Sequence, residues 1–192
     1  MAAEQKESKT DPRVTRTRKL IEDAFLAVME ESGFEELSVQ DVADRAGINR
    51  VTFYSHFLDR YDLLRHAIRK AFEAEIVRKG LADRSLGPES VGDLFVMVCG
   101  HIAGLHEHCK PPHEHLDWTL GEVITEYCAE LFLRWAASAG TRAPRCSAET
   151  ATAAGSSLYA LAARLNRTRK RGAAAAYVDS ALRIVTGILG LK

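Results

Sequence analysis

Hydrophobic positions recur along this chain with the period of a helix, and no run alternates as a strand would. Between Asp11 and Gly33, the positions Ile21, Ala24, Phe25 and Val28 form one stripe. Asp11 is placed as N-cap, Pro12 as a first-turn residue, and Gly33 as the end of the helix. Next, Val39, Val42, Ala43 and Ala46 fall at i, i+3, i+4 and i+7, opposite Gln40, Asp41, Asp44 and Arg45. Ser38 would cap this short helix, and Gly47 follows where a left-handed residue ends a helix cheaply. Asn49 then caps a second short helix, with Ile48, Tyr54 and Phe57 placed to anchor it on the first. Asp59, with Asp62 three residues on, caps a longer helix carrying Leu64, Ala67, Ile68, Ala71 and Phe72 and reaching about Arg78.

Past Arg78 the pattern breaks. Gly80 to Ser90, with Gly87-Pro88, reads as a connection. Four further helical stripes follow: Val91, Leu94, Phe95, Val98, Ile102 and Leu105; Leu116, Leu120, Val123, Ile124, Tyr127 and Leu131; Ala151, Ala154, Leu158, Leu161 and Leu165; and Tyr177, Ala181, Ile184 and Ile188. The fold class is therefore all-α, divided as an N-terminal three-helix domain over 1–78, a linker over 79–90 and a helical bundle over 91–192. Residues 1–10 are polar, carry Lys6 and Lys9, and read as a mobile arm. The two short helices at 38–57, joined by a glycine-containing turn, have the form of a helix-turn-helix, whose second helix enters the DNA major groove.

The run Ala46-Gly47-Ile48-Asn49-Arg50-Val51-Thr52-Phe53-Tyr54-Ser55-His56-Phe57, followed by Asp59-Arg60 and Leu63-Leu64, resembles the signature of the tetracycline-repressor-like (TetR/AcrR) transcriptional regulators. It departs from that signature at Val51 and Asn49, positions that touch base preference more than fold. The resemblance implies that Arg50, Val51, Thr52, Tyr54 and His56 face bases or phosphates, and that Arg60 grips the DNA backbone. Side-chain chemistry agrees with these roles. Arg50 can donate two bonds to a guanine edge, Thr52 can meet a thymine methyl or a phosphate, and the Tyr54 hydroxyl can reach a phosphate oxygen. Gln40 and Asn49 complete the expected DNA-binding set.

The resemblance also implies a homodimer through the two C-terminal helices, a palindromic double-stranded operator, and repression relieved by a small-molecule effector. The apolar positions Val178, Leu182, Val185 and Leu189 exceed what one core-facing stripe uses, and Ala154, Gly155, Ala162 and Ala163 would permit close approach of a second chain. Phe95, Met97, Cys99, His101, Trp118, Glu122, Tyr127, Cys128 and Tyr159 are candidates for the effector pocket. The helix ending near Arg78 would be the lever between effector and DNA.

Composition changes this picture little. With 26 basic and 26 acidic residues in 192, net charge does not advertise nucleic acid, but a local patch suffices for phosphate contact, and Arg13, Arg16, Arg18 and Lys19 form one. The four cysteines form no C-x-x-C pair, no secretory leader is legible, and no apolar run reaches a membrane span, so a reduced cytoplasmic protein is expected. No cofactor is required. Five of the seven histidines nevertheless cluster between His101 and His115, so zinc or copper is possible at His106, His108, Cys109, His113 and His115. A metal-responsive sensor of the same fold is thus an alternative, although a polar loop explains the segment more simply. The run Arg164, Arg167, Arg169, Lys170 and Arg171 reads as a solvated helix end. A helical enzyme or a protein-interaction adaptor is the competing class; G-x-S-x-G, a phosphate-binding glycine loop and H-E-x-x-H are all missing.

Overall fold

The computed structural model describes residues 11–108, 114–138, 146–168 and 174–191, and among these residues every regular element is a helix. The elements are α1 (Pro12–Ser32), α2 (Val39–Ala46), α3 (Arg50–Tyr54), α4 (Arg60–Arg78), α5 (Pro88–His108), α6 (Glu114–Ser138), α7 (Ala148–Thr168) and α8 (Ala174–Ile188). The all-α expectation holds. The arm expected over 1–10 lies outside the described residues.

The caps explain where the first helices start. Asp11 accepts the Arg13 N–H at 2.9 Å, and Pro12 occupies a first-turn position where its missing donor costs nothing. Ile21, Ala24, Phe25, Val28 and Met29 are all buried, and with Val42, Phe53, Phe57, Leu63, Leu64 and Ile68 they make the core of the N-terminal unit. Buried Glu22 is the polar exception. It receives Lys70 and, at 2.8 Å, His66, so α1 and α4 are joined by charge as well as by packing. Arg18 belongs to this cluster rather than to a free basic patch: it lies 3.2 Å from His66 Nδ1 and 4.7 Å over the Phe57 ring. Of the patch at the start of α1, only Arg13, Arg16 and Lys19 are exposed.

The connection between α4 and α5 is fastened to the body. Leu81 and Leu86 are buried, the Trp135 indole N–H donates to the Leu81 carbonyl at 2.8 Å, and the Leu86 N–H donates to the Trp135 carbonyl at 3.2 Å. Helices α5 to α7 turn the stripes read from the sequence inward, with Leu105, Leu161 and Leu165 half-buried at their ends, and α6 packs between α4 and α7. Two rungs tie α4 to α6, Arg65 to Glu122 and Arg69 to Glu130, each at 2.6 Å.

Two expectations are corrected here. The small residues of α7 serve an approach inside the chain: Ala154, Gly155 and Ala162 are buried, and a Cβ on Gly155 would stand 2.8 Å from the Thr125 carbonyl oxygen of α6. On α8 the buried positions are Ala181, Val185 and Leu189, with Val178 and Leu182 half-buried, whereas Ile184 of the expected stripe is 49% exposed. The apolar positions that looked surplus therefore pack on the chain's own core. Among the described residues no helix is long and apolar enough to cross a membrane.

Candidate nucleic-acid interface

The helix-turn-helix is built by three local devices. Ser38 and Asp41 form a reciprocal cap: the Ser38 hydroxyl accepts the Asp41 N–H at 3.2 Å, and the Ser38 N–H donates to the Asp41 carboxylate at 2.9 Å. The Ser38 hydroxyl, with help from its backbone N–H, holds the Asp41 carboxyl below its usual range. Gly47 then closes α2 at φ 67°, ψ 34°, and the Ile48 N–H reaches back to the Ala43 carbonyl at 3.0 Å. Asn49 starts α3 by accepting the Thr52 N–H at 2.8 Å.

Phe53 decides which way α3 faces. It is fully buried, with its ring 6.0 Å from that of Phe57, so the other side of the helix must point outward. Val51 is accordingly 79% exposed and Tyr54 47% exposed. The anchors of α3 are thus Phe53 and Phe57; Tyr54, expected to anchor, stands on the outer face because it is one position round the helix from Phe53.

The outward side chains are tied to one another. Arg50 donates to the Tyr54 hydroxyl at 3.2 Å, Gln40 to Asp44 at 2.7 Å, and the Thr52 hydroxyl to Asn49 at 3.0 Å. Asn49 is therefore a cap whose carboxamide oxygen is already engaged. His56 is half-buried just beyond α3. A groove of about 310 Å³ between α2 and α3 is lined by Ser38, Gln40, Arg50, Tyr54 and Arg60.

Arg60 differs from its expected role as a simple backbone grip. Its guanidinium lies 5.0 Å from both the Phe34 and Tyr61 rings and donates to the carbonyls of Phe34, Glu35 and Leu37 at 3.3, 3.1 and 2.7 Å. The turn after α1 has carbonyls with no helical partner, and Arg60 is the donor that satisfies them. Sequence reasoning missed this because Phe34, Glu35 and Leu37 lie more than 20 residues from Arg60 and accept through backbone carbonyls; it also missed Tyr61, the next residue along the chain.

The nine pocket candidates occupy several environments. Phe95 and Cys128 are fully buried; Tyr127 and His101 flank Phe72, each with rings 5.3 Å from it, and His101 also meets Glu75 at 3.2 Å. Burial pushes the Cys99 thiol up to about 11, and pushes Cys128 higher still. The Cys99 backbone carbonyl accepts Asn166. Met97 lines a cleft of about 430 Å³ beside Glu75, Lys79 and Asp93. Trp118, 67% exposed, lines a shallow groove with Glu122 and Tyr159, whose hydroxyl donates to the Asp117 carbonyl at 3.2 Å. Desolvation, then the Asp117 charge, raises Tyr159 to about 12, so its hydroxyl remains a donor at neutral pH.

Of the candidate metal ligands, the side chains of His106, His108, Cys109 and His113 lie outside the described residues. His115 is described and has another partner: its Nδ1 stands 2.9 Å from both carboxylate oxygens of Glu35. Among the described residues no three His, Cys, Asp or Glu side chains converge to hold a metal ion.

Residues 21–67, which span most of α1 through the first half of α4, match the family model for bacterial regulatory proteins of the tetR family. Over 74 residues the chain is 35% identical to an uncharacterized HTH-type transcriptional regulator, YxbF, of Bacillus subtilis (strain 168); the match covers 38% of this chain and 19% of that relative's length. Similar folds include a TetR-family regulator of Streptomyces coelicolor A3, with TM-score 0.60 and 19% identity over 95% of this chain and 99% of that one. The repressor QsdR of R. erythropolis has TM-score 0.58 at 20% identity, covering 95% and 97%. RolR in complex with resorcinol has TM-score 0.60 at 16% identity, covering 95% and 92%. Residues 21–67 thus match the tetR-family helix-turn-helix in sequence, on an all-α fold shared along the chain with the S. coelicolor and R. erythropolis regulators.

Proposed function

We propose that the chain works in the cytoplasm as a homodimeric repressor, occupying an inverted-repeat operator with α3 in the major groove and leaving it when a small-molecule effector binds the α5–α8 body. The division follows the helices, with the reading head up to Arg78 and the body from Val91. The outer face of α3 carries this reading. Arg50, Val51, Thr52 and Tyr54 cover it while Phe53 is locked inside, and Gln40 flanks it from α2. Pairing Arg50 with Tyr54 and Thr52 with Asn49 restricts these side chains before contact, which lowers the ordering cost of binding.

One five-residue helix reaches few base pairs, whereas a twofold pair addresses two half-sites about one turn of DNA apart. The exposed positions Ala153, Ser156 and Ala160 of α7, with Ile184 and Gly187 of α8, would meet their copies in the partner. RolR shares the fold and is described with resorcinol bound, so a small organic effector is the corresponding reading here. The effector acts to the extent that it binds the two head spacings with different affinity. No cofactor and no enzymatic turnover form part of this reading.

Selection of bound duplexes from random DNA by the purified chain tests it. The expected result is an enriched inverted repeat holding two chains per duplex by sedimentation. A single asymmetric half-site bound by one chain, or no enrichment, would overturn it. Parallel selections with zinc and with a chelator decide whether the metal-sensing form applies.

A further inference from the structure

The turn between α1 and α2 is held from two directions. From α4, Arg60 is stacked between Phe34 and Tyr61 and donates to three carbonyls of residues 34–37, the last of which, Leu37, directly precedes the Ser38 cap of α2. Arg60 also donates to the Tyr61 hydroxyl at 3.1 Å. From the body, His115, the second residue of α6, meets both oxygens of the Glu35 carboxylate at 2.9 Å and lays its ring 5.6 Å from Tyr61. Phe34 closes the set, edge-on to Tyr61 at 5.4 Å and to Phe25 of the core at 6.4 Å.

Among the described residues, the ion pairs that tie α6 to α4 run through Arg65 and Arg69, and they reach the reading helix by moving α4 as a unit. His115 bypasses α4. It takes hold of the turn that sets the start of α2, and α2 carries α3.

We propose that His115 and Arg60 are positioning residues of the reading head: Arg60 fixes the turn that aims α2 and α3, and His115 lets α6 pull on that turn directly through Glu35. This rests on the function proposed above. Without the joint, the turn and the helices after it sample more orientations, and operator binding must order them. The pair is partly exposed, so its loss affects global stability little while its effect on the head is felt on DNA.

The test uses the full chain and the duplex it selects from a random pool. His115→Ala and Glu35→Ala should each weaken affinity by about threefold to tenfold, the double variant no further than either single, with the melting temperature unchanged. Arg60→Met should weaken binding while the slope of log affinity against log salt stays that of the parent chain, since no phosphate contact is removed; a phosphate grip would flatten the slope by about one. Additive losses, or none, from His115→Ala and Glu35→Ala would overturn the joint. A flattened slope in Arg60→Met would return Arg60 to the phosphates. Should Arg60→Met fail to fold, the His115 and Glu35 variants decide alone. A parent chain that selects no duplex overturns the functional reading and this inference with it, whereas a parent that binds with unaffected variants overturns this inference only.

Discussion

The indole N–H of Trp135 donates to the Leu81 carbonyl at 2.8 Å, across 54 residues of chain, and the Trp135 carbonyl takes the Leu86 N–H in return. A stretch whose composition suggests a tether is thereby clamped to the end of α6. Trp135→Phe keeps most of the packing but leaves a buried carbonyl without its donor. It should lower stability by about 1–3 kcal/mol, read as a shift in urea midpoint at constant m-value.

Neighbouring aromatics on α3 should separate fold from function. Phe53→Ala opens a hole in the core of the head and should cost about 3–5 kcal/mol in chemical denaturation. Tyr54→Ala should stay within about 0.5 kcal/mol of the parent, yet weaken duplex binding at all sequences. Arg50→Ala should instead relax preference at one base position, seen by repeating the selection with the variant. Equal loss of base preference in the Tyr54 and Arg50 variants would contradict this assignment.

Acid should weaken the α1–α4 joint through Glu22. Burial opposes its charge, but the hydrogen bonds and charges of Lys70 and His66 outweigh that and hold the carboxyl below its ordinary 4.5. A carboxyl depressed in the folded state contributes stability above its unfolded value, and that contribution is lost as pH falls through the folded one. Glu22→Gln should therefore be less stable than the parent at pH 7, with the gap closing below about pH 4.5. Urea midpoints for both chains across that range give the check; a gap that persists in acid would assign the cost to shape instead.

Two glycines on the α6–α7 contact should respond unequally. At Gly155 a Cβ would meet the Thr125 backbone oxygen at 2.8 Å, and backbone within a helix cannot step aside. At Gly121 the obstacle, also at 2.8 Å, is the Tyr159 ring, which can turn. Gly155→Ala should cost about 1–3 kcal/mol, and Gly121→Ala less, by thermal or urea denaturation. The reverse order would mean that the Tyr159 hydroxyl bond to Asp117 fixes the ring more firmly than α6 and α7 fix each other.

The local devices were legible in the residues alone. Asp11, Ser38, Asn49 and Asp59 cap the helices they were read to cap, and Gly47 adopts the left-handed turn, because each choice is made within four residues of chain and needs no distant partner. The stripes of α1, α5 and α6 were legible for the same reason: a period of 3.6 states which face is apolar, whatever that face later meets.

Partner identity was not local, and tertiary packing decided it. Periodicity marks Ala154, Gly155 and Ala162 as a close-approach face but does not say what makes the approach; all three are buried within the chain, and at Gly155 the neighbour is α6. It marks α8 as apolar on more than one side without saying that Val185 and Leu189, rather than Ile184, turn inward. A lone arginine after a cap reads as a phosphate contact, and only the fold shows the carbonyls of Phe34, Glu35 and Leu37 beneath it. A histidine in a histidine-rich run shows its glutamate partner, 80 residues away, only once α6 delivers it there. Caps and stripes follow from the energetics of a few neighbouring residues, whereas the use made of Arg60, His115 and Trp135 depends on which remote groups packing leaves unsatisfied beside them.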